Sequence, residues 1–379
     1  MTDVEKYLST SVQRIDSSEI RKLFDLAEKI KDPVNLSIGQ PDFPVPQAVK
    51  EAYAKAVFDD KNAYTLTQGL LPLREAICAK WEEENGFSVS PENTIVSTGV
   101  ASLLYLLYEA LFNPGDEIVL TDPFFVIYDT LAKLRDIKVS FIPENFTSDD
   151  LDTLRKSGVN PKAIIFANPS NPTGLVLSKE QLQLLSSYAE EKNALLISDE
   201  IYEAFDYDTK FISCATIAPE RTITLGGFSK SHAMTGMRVG YMGVTPNLKP
   251  ILAKVAALQQ YSIVCSPQAA QWAALTALKT PIDAELALMK SRRNLVQGIL
   301  GDQVEYAHPG GAFYIFPEIP IDCADFSKKA IERELLVVPG YIFSKNRNTI
   351  RISYAQPEEK LEKGLKIFLE MVEEFKSEK

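Results

Sequence analysis

Histidine is nearly absent from this chain, with only His232 and His308 among 379 residues. A histidine-rich metal centre is therefore excluded. A Ser-His-Asp triad would have to recruit one of these two, and neither lies in a GxSxG or HExxH setting. Cysteine is almost as scarce. Cys78, Cys214, Cys265 and Cys323 stand far apart with no CxxC spacing, so neither a disulfide framework nor a zinc site is expected, and the thiols read as reduced core residues. Positive charge is in deficit as well. A formal net charge of -11, with no cluster of Lys and Arg, argues against a nucleic-acid or anionic-membrane surface, so any anion site must be a local basic island. No apolar run approaches the length of a membrane span. The start, MTDVEKYLS, has neither the basic nor the apolar region of a secretory signal, and a cytoplasmic location is the expectation. Internal repeats and low-complexity stretches are also missing.

What is present is an ordinary globular composition in a chain long enough for two packed domains. Residues 17–31 carry Ile20, Leu23, Phe24, Ala27 and Ile30 at helical spacing behind a Ser-rich start, which predicts an amphipathic helix. Residues 35–46 hold a glycine and three prolines and read as irregular backbone. From 94 onward, short apolar runs alternate with helical patterns. Strands are expected at 94–97, 117–120, 138–142, 163–166, 194–198, 222–225 and 239–244, and helices at 48–58, 103–112, 179–191 and through much of 246–278. Ile, Leu and Val-rich strands separated by helices predict an α/β fold, a mostly parallel sheet sandwiched by helices. The 225–239 connection is too short for a full helical crossover, so the last pair is expected to be antiparallel.

Open sheets of this kind bind ligands beyond the carboxyl ends of their strands. Asn168 and Asn171 follow one expected strand, Asp199 another and Lys230 a third, so three polar exits converge on one site. Lys230 ends a buried run and is followed by Arg238. Burial and a nearby cation both favour the neutral amine, which can attack a carbonyl to form a Schiff base. Upstream, Thr98-Gly99-Val100-Ala101 opens a helix, an arrangement of free amides and positive dipole that suits a phosphate.

The stretch GGFSKSHAMTGMRVGY, from Gly226 to Tyr241, resembles the cofactor-attachment segment of the class I and II aminotransferases, the fold type I pyridoxal phosphate (PLP) enzymes. Further segments resemble the family in its own order: GQPDFPVP at 39–46, NPSNPTG at 168–174, SDEIY at 198–202, GAFY at 311–314, VPG at 338–340 and RISYA at 351–355. The resemblance implies that Lys230 holds the cofactor aldehyde and shuttles protons. It implies that Asp199 pairs with the pyridinium nitrogen and that Asn171 and Tyr202 bond the phenolic oxygen. Phe125 would stack on the ring, and Gly99, Val100, Ala101, Ser229 and Arg238 would hold the phosphate. Gly39, Asn171 and Arg351 would bind the substrate carboxylate, Arg351 through a planar fork. Tyr64 would reach the phosphate of the neighbouring subunit in a homodimer.

The same likeness implies an N-terminal segment over 1–45 that joins a smaller α+β domain over 281–379, and a large cofactor domain over 46–280. The implied reaction moves an amino group from an L-amino acid, aromatic, neutral or aspartate, to a 2-oxo acid such as 2-oxoglutarate, without metal, nucleic acid or membrane. Ala101 stands where aspartate-specific relatives often carry a lysine, which favours an aromatic or neutral donor. A carbon-sulfur β-lyase and a non-catalytic protein retaining the fold are the competing expectations. The loop before Arg351, 343–348, lacks the family's glycines, which leaves Arg347 as a rival carboxylate ligand.

Overall fold

Strands with no polar face form the centre of the molecule. The computed structural model describes residues 5–15, 32–208 and 211–378, so the helix expected over 17–31 lies outside the described residues. In chain order the strands are β1 (Val34–Asn35), then seven that share one sheet, β2 (Thr94–Ser97), β3 (Glu117–Asp122), β4 (Lys138–Pro143), β5 (Ala163–Ala167), β6 (Leu195–Asp199), β7 (Thr222–Gly227) and β8 (Gly240–Gly243). Four short strands follow, β9 (Tyr314–Ile315), β10 (Leu335–Leu336), β11 (Val338–Pro339) and β12 (Ile350–Ser353).

The large sheet runs β2-β8-β7-β6-β5-β3-β4. It is parallel from β4 across to β7, whereas β8 runs antiparallel to both β7 and β2. The 225–239 link thus behaves as its length requires. Along the parallel strands, successive residues feed different cores. Ile118, Leu120, Ile165, Ile197 and Ile223 pack with Leu103, Leu131 and Leu252 on one face. Val119, Ile164, Phe166 and Leu196 pack with Leu151, Leu182 and Leu185 on the other. Both faces are therefore covered by helices, which is why the strands read as unbroken apolar runs. The covering helix Lys179–Glu191 starts as its sequence dictates. Ser178 Oγ accepts from Gln181 N and the Gln181 side chain accepts from Ser178 N, while Leu182, Leu185, Tyr188 and Ala189 turn inward.

Several boundaries differ from the expected ones. β3 continues to Asp122, β5 to Ala167 and β7 to Gly227, because ladder bonding persists past the last apolar residue. The helix expected from 103 begins at Val100, directly after Gly99, and the 246–278 region breaks between helices Lys249–Ser262 and Gln268–Ala277. Asn35, read as irregular, pairs with Leu336 as part of a parallel β1–β10 ladder.

Strand β12 lies between β11 and β9 in a second, three-stranded antiparallel sheet. Helices Asp283–Leu300, Cys323–Glu332 and Glu358–Ser377 cover it through Met289, Val296, Phe326, Leu365 and Phe368, in one core with Val34 and Leu36. All four cysteines are free, and three are buried. Among the described residues no helix is long and apolar enough to cross a membrane, and no group of three His, Cys, Asp or Glu could hold a metal ion.

One buried acid ties the loop after β6 to the sheet. Glu200 Oε1 accepts from Ser198 Oγ at 2.8 Å, Ser213 Oγ at 3.0 Å and Cys214 N at 3.1 Å, while Oε2 has no partner. Burial, aided by nearby Glu203, pushes its carboxyl from 4.5 up to about 8, against those three donors. Folding therefore takes up a proton between these two values, and the contribution of Glu200 to stability falls as pH rises from about 4.5 to about 8. Glu200→Gln should remove that decline, so its melting temperature should gain on the parent by a few degrees between pH 5 and 8.5 in thermal denaturation.

Candidate active site

The parallel strands deliver their ends to one cavity of about 370 Å³. Its lining includes Gly39, Val100, Ala101, Phe125, Asn171, Asp199, Tyr202, Ser229, Lys230, Arg238 and Arg351, so all the predicted site residues but Gly99 and Tyr64 line it, and Gly99 directly precedes Val100 at its edge. Tyr64 is 84% exposed on the surface of the single chain. Arg347, the rival to Arg351, is also outside, where Asp322 pairs with its Nε and Nη2.

One end of the cavity is an anion cradle. Gly99 holds φ at 89°, which favours glycine, and a Cβ there would lie 2.4 Å from Arg238 Nη2. The helix Val100–Leu111 starts immediately after it with no side-chain cap, so its first amides and the positive end of its dipole face the opening. Arg238 closes this end. Its Nη1 donates to Thr235 O at 2.8 Å and Nη2 to Thr98 O at 3.1 Å. The residue itself sits at φ 58°, a strained backbone for a side-chain-bearing residue and a type of strain found at functional sites.

The floor is Asp199, at the end of β6. Burial pushes its carboxyl from 3.8 up to about 6, opposed by a hydrogen bond from Tyr128 Oη at 2.9 Å, a weaker one from Ile201 N at 3.3 Å, and the charge of Lys230. Three residues beyond β7, Lys230 donates from Nζ to Gly39 O at 2.7 Å. Burial is the main cause that lowers its ammonium from 10.5 to about 8, with Arg351 and Arg238 acting the same way and Asp199 opposing.

At the far end is Arg351, on β12 and 2% exposed. Nη1 donates to Asn171 Oδ1 at 3.0 Å and Nη2 to Ser37 O at 2.7 Å, while the buried Nε has no partner. Among the described residues no carboxylate pairs with this guanidinium. Burial pulls it below its ordinary value, with Tyr314 and Tyr202 opposing. Such a buried cation without an acid is costly until an anion arrives. A site with a depressed lysine, a raised aspartate and an unpaired arginine is one equipped to bind a carboxylate and move protons beside it.

A family profile for aminotransferase class I and II matches residues 31–368. This chain belongs to that family. It is accordingly an aminotransferase, as its motif order implies. It is 37% identical to a probable aspartate aminotransferase of Methanocaldococcus jannaschii, over 97% of this chain and all of that protein. It is equally 37% identical to aromatic-amino-acid aminotransferase 2 of Thermococcus litoralis, over 94% of this chain and 96% of the relative. Among solved structures, the aspartate aminotransferase of Thermotoga maritima superposes with a TM-score of 0.90 at 30% identity, covering 97% of this chain and the whole of that one. The α/β architecture read from the sequence is therefore that of the aminotransferases.

Four groups at the site escape sequence reasoning. Tyr128 bonds Asp199, Ser37 O holds Arg351, and the rings of Tyr314 and Phe343 lie over the Arg351 guanidinium. Tyr128 had a legible signal, since it sits three residues after Phe125 in a helix and so shares its face. Phe343 had none, because its loop departs from the familiar pattern.

Tyr128→Phe should raise the Asp199 value further above 6, since a donor to its charged form is lost. The acid limb of kcat/KM for this aminotransferase should then shift upward by roughly half to one pH unit, as measured by a pH–rate profile.

Proposed function

We infer that this aminotransferase uses pyridoxal 5′-phosphate to transfer the amino group of an aromatic or neutral L-amino acid, with aspartate a poorer donor, to a 2-oxo acid such as 2-oxoglutarate. The observation that carries it is the buried Arg351 fork, without an acidic partner among the described residues, on the same cavity as Lys230 and Asp199. The residues suit the cofactor. The Val100–Ala101 amides, Ser229 and Arg238 offer a phosphate its donors, and Asp199 offers a ring nitrogen a buried carboxylate. Phe125 presents a ring to the cavity, while Phe124 is buried against Phe141 instead. Asn171 and Tyr202 line the same cavity and would hold the phenolic oxygen. When bound, the cofactor supplies an aldehyde that condenses with amines and a ring that accepts the electron pair released at Cα.

The protein's own groups do the rest. With its amine pulled down to about 8, Lys230 is neutral in about a tenth of molecules at pH 7, enough to act as nucleophile and as the base that takes the Cα proton. Asp199 is mostly ionised above pH 6 and would keep a positive charge on a ring nitrogen held beside it. Arg351 fixes the α-carboxylate, and so sets which Cα bond faces Lys230 Nζ. On the remaining wall Val100, Ala101, Leu104 and Ile201 are uncharged, and among the described lining residues the only cations are Lys230, Arg238 and Arg351. That wall supports a donor with an apolar side chain. The names of the relatives include both aspartate and aromatic amino acids.

The assignment extends to a cytoplasmic homodimer in which Tyr64 serves the partner's site. Tyr64, Leu66, Tyr261 and Val264 are each exposed, and Gln259 Nε2 donating to Thr67 O ties their two segments, which supports a partner covering this side. It also divides the chain into a cofactor domain over 46–280 and a smaller one over 281–379 joined by residues 1–45, supported by the β1–β10 ladder.

A panel of amino donors against 2-oxoglutarate tests this function. Phenylalanine, tyrosine and leucine should exceed aspartate in kcat/KM by about tenfold, an amount that a neutral wall against one unpaired carboxylate can supply. Initial rates should give the parallel double-reciprocal lines of ping-pong kinetics. Aspartate as the best donor would overturn the donor class. Lys230→Ala should lower turnover by at least about 10²–10⁴-fold, and a variant that kept its rate would overturn the mechanism.

A further inference from the structure

Tyr314 meets Tyr202, Arg351 and Gly39 in the cavity, although neither the reaction nor the motifs give it a task. Its hydroxyl lies 2.8 Å from that of Tyr202, and both tyrosines are buried. Its ring face carries the Arg351 guanidinium, whose carbon is 4.6 Å from the ring centre. The same guanidinium also lies over the Phe343 ring, 4.7 Å from its centre. A Cβ on Gly39 would fall 2.8 Å from the Tyr314 hydroxyl, so the 35–46 loop is glycine at that point to make room for it.

Phe343 is itself held in place. Its carbonyl accepts from Phe124 N at 2.7 Å, and two residues on, Lys345 N donates to Asp122 Oδ2 at 3.2 Å. The glycine-free loop is thus moored to the end of β3, next to Phe125.

We propose that Tyr314 and Phe343 are positioning residues that clamp Arg351 between two aromatic faces, and that the Tyr314 hydroxyl couples this clamp to Tyr202. A guanidinium with one unbonded nitrogen and no carboxylate has few hydrogen bonds to fix its plane. Two π faces fix it without neutralising it, which keeps its charge available to an incoming carboxylate. Ring and hydroxyl of Tyr314 therefore have separable duties: the ring orients the carboxylate fork, and the hydroxyl sets the proton position on Tyr202.

This proposal rests on Arg351 as the carboxylate ligand, and the test separates the two. Binding of 3-phenylpropanoate, a carboxylate with no amino group, is measured by calorimetry on the cofactor-loaded dimer, together with the pH midpoint of the cofactor's visible absorption. Tyr314→Phe keeps the ring, so its Kd should stay within about twofold while the absorption midpoint moves. Phe343→Leu and Tyr314→Leu each remove one face and should raise Kd by about tenfold. For Phe343→Leu the absorption midpoint should stay unchanged. Phe343→Tyr, which retains a face, should restore binding.

If Tyr314→Phe and Tyr314→Leu weaken binding equally, or Phe343→Leu leaves Kd unchanged, the clamp is overturned. An unmoved absorption midpoint in Tyr314→Phe overturns the coupling to Tyr202. Arg351→Lys is the control for the site itself. Unaltered 3-phenylpropanoate binding there would show that the carboxylate lies elsewhere, and would overturn the proposal at its base rather than at Tyr314.

Discussion

A parallel sheet imposes one constraint from which the rest of the site follows: all its strands finish at the same edge. Asn171, Asp199 and Lys230 come from three different strand ends, separated by as many as 59 positions in the chain, yet share one cavity of about 370 Å³. No local motif could assemble them. The helices on both faces bury the central strands almost completely, and this burial raises the carboxyl of Asp199 and lowers the ammonium of Lys230. Burial is the first cause of both shifts, so packing and chemistry have a common origin.

The carboxylate end is built differently. Arg351 comes from a small antiparallel sheet and reaches the cavity through contacts with Asn171 on one side and Ser37 on the other. It has two hydrogen-bonded partners, two aromatic faces and no counter-ion among the described residues. The arrangement exchanges stability for readiness, since satisfying the fork within the protein would remove its use for a ligand. Gly99 and Arg238 show the same pattern at the other end, where a left-handed glycine and a strained arginine leave room and charge for an anion.

Much of this was legible from residue order. The strands of the large sheet, the antiparallel return of β8 and the three polar exits follow from apolar periodicity and connection length. What remained hidden is geometric. The Tyr128–Asp199 bond joins positions 71 apart, and only the folded arrangement brings the helix Val126–Arg135 to the end of β6. Tyr314 was legible only as part of the GAFY segment and Phe343 only as part of a glycine-free loop; the pairing of β9 with β12 and the path of that loop bring their rings to Arg351. Strand ends were underestimated because ladder hydrogen bonds continue into polar residues such as Asp122 and Asp199, which periodicity alone treats as breaks. Arg347, the rival to the favoured Arg351, was set aside only by its exposure and its pairing with Asp322.

The β1–β10 ladder joins Val34 to Leu335, so the Gly39 side of the cavity is anchored to the same unit as Arg351. Most of the large sheet can assemble once β8 has left the ribosome at residue 243. The substrate end cannot, because its two halves lie roughly 300 residues apart in synthesis. A nascent chain would therefore own a finished floor and anion cradle while Arg351 was still untranslated, and completes the cavity only as its last tenth emerges.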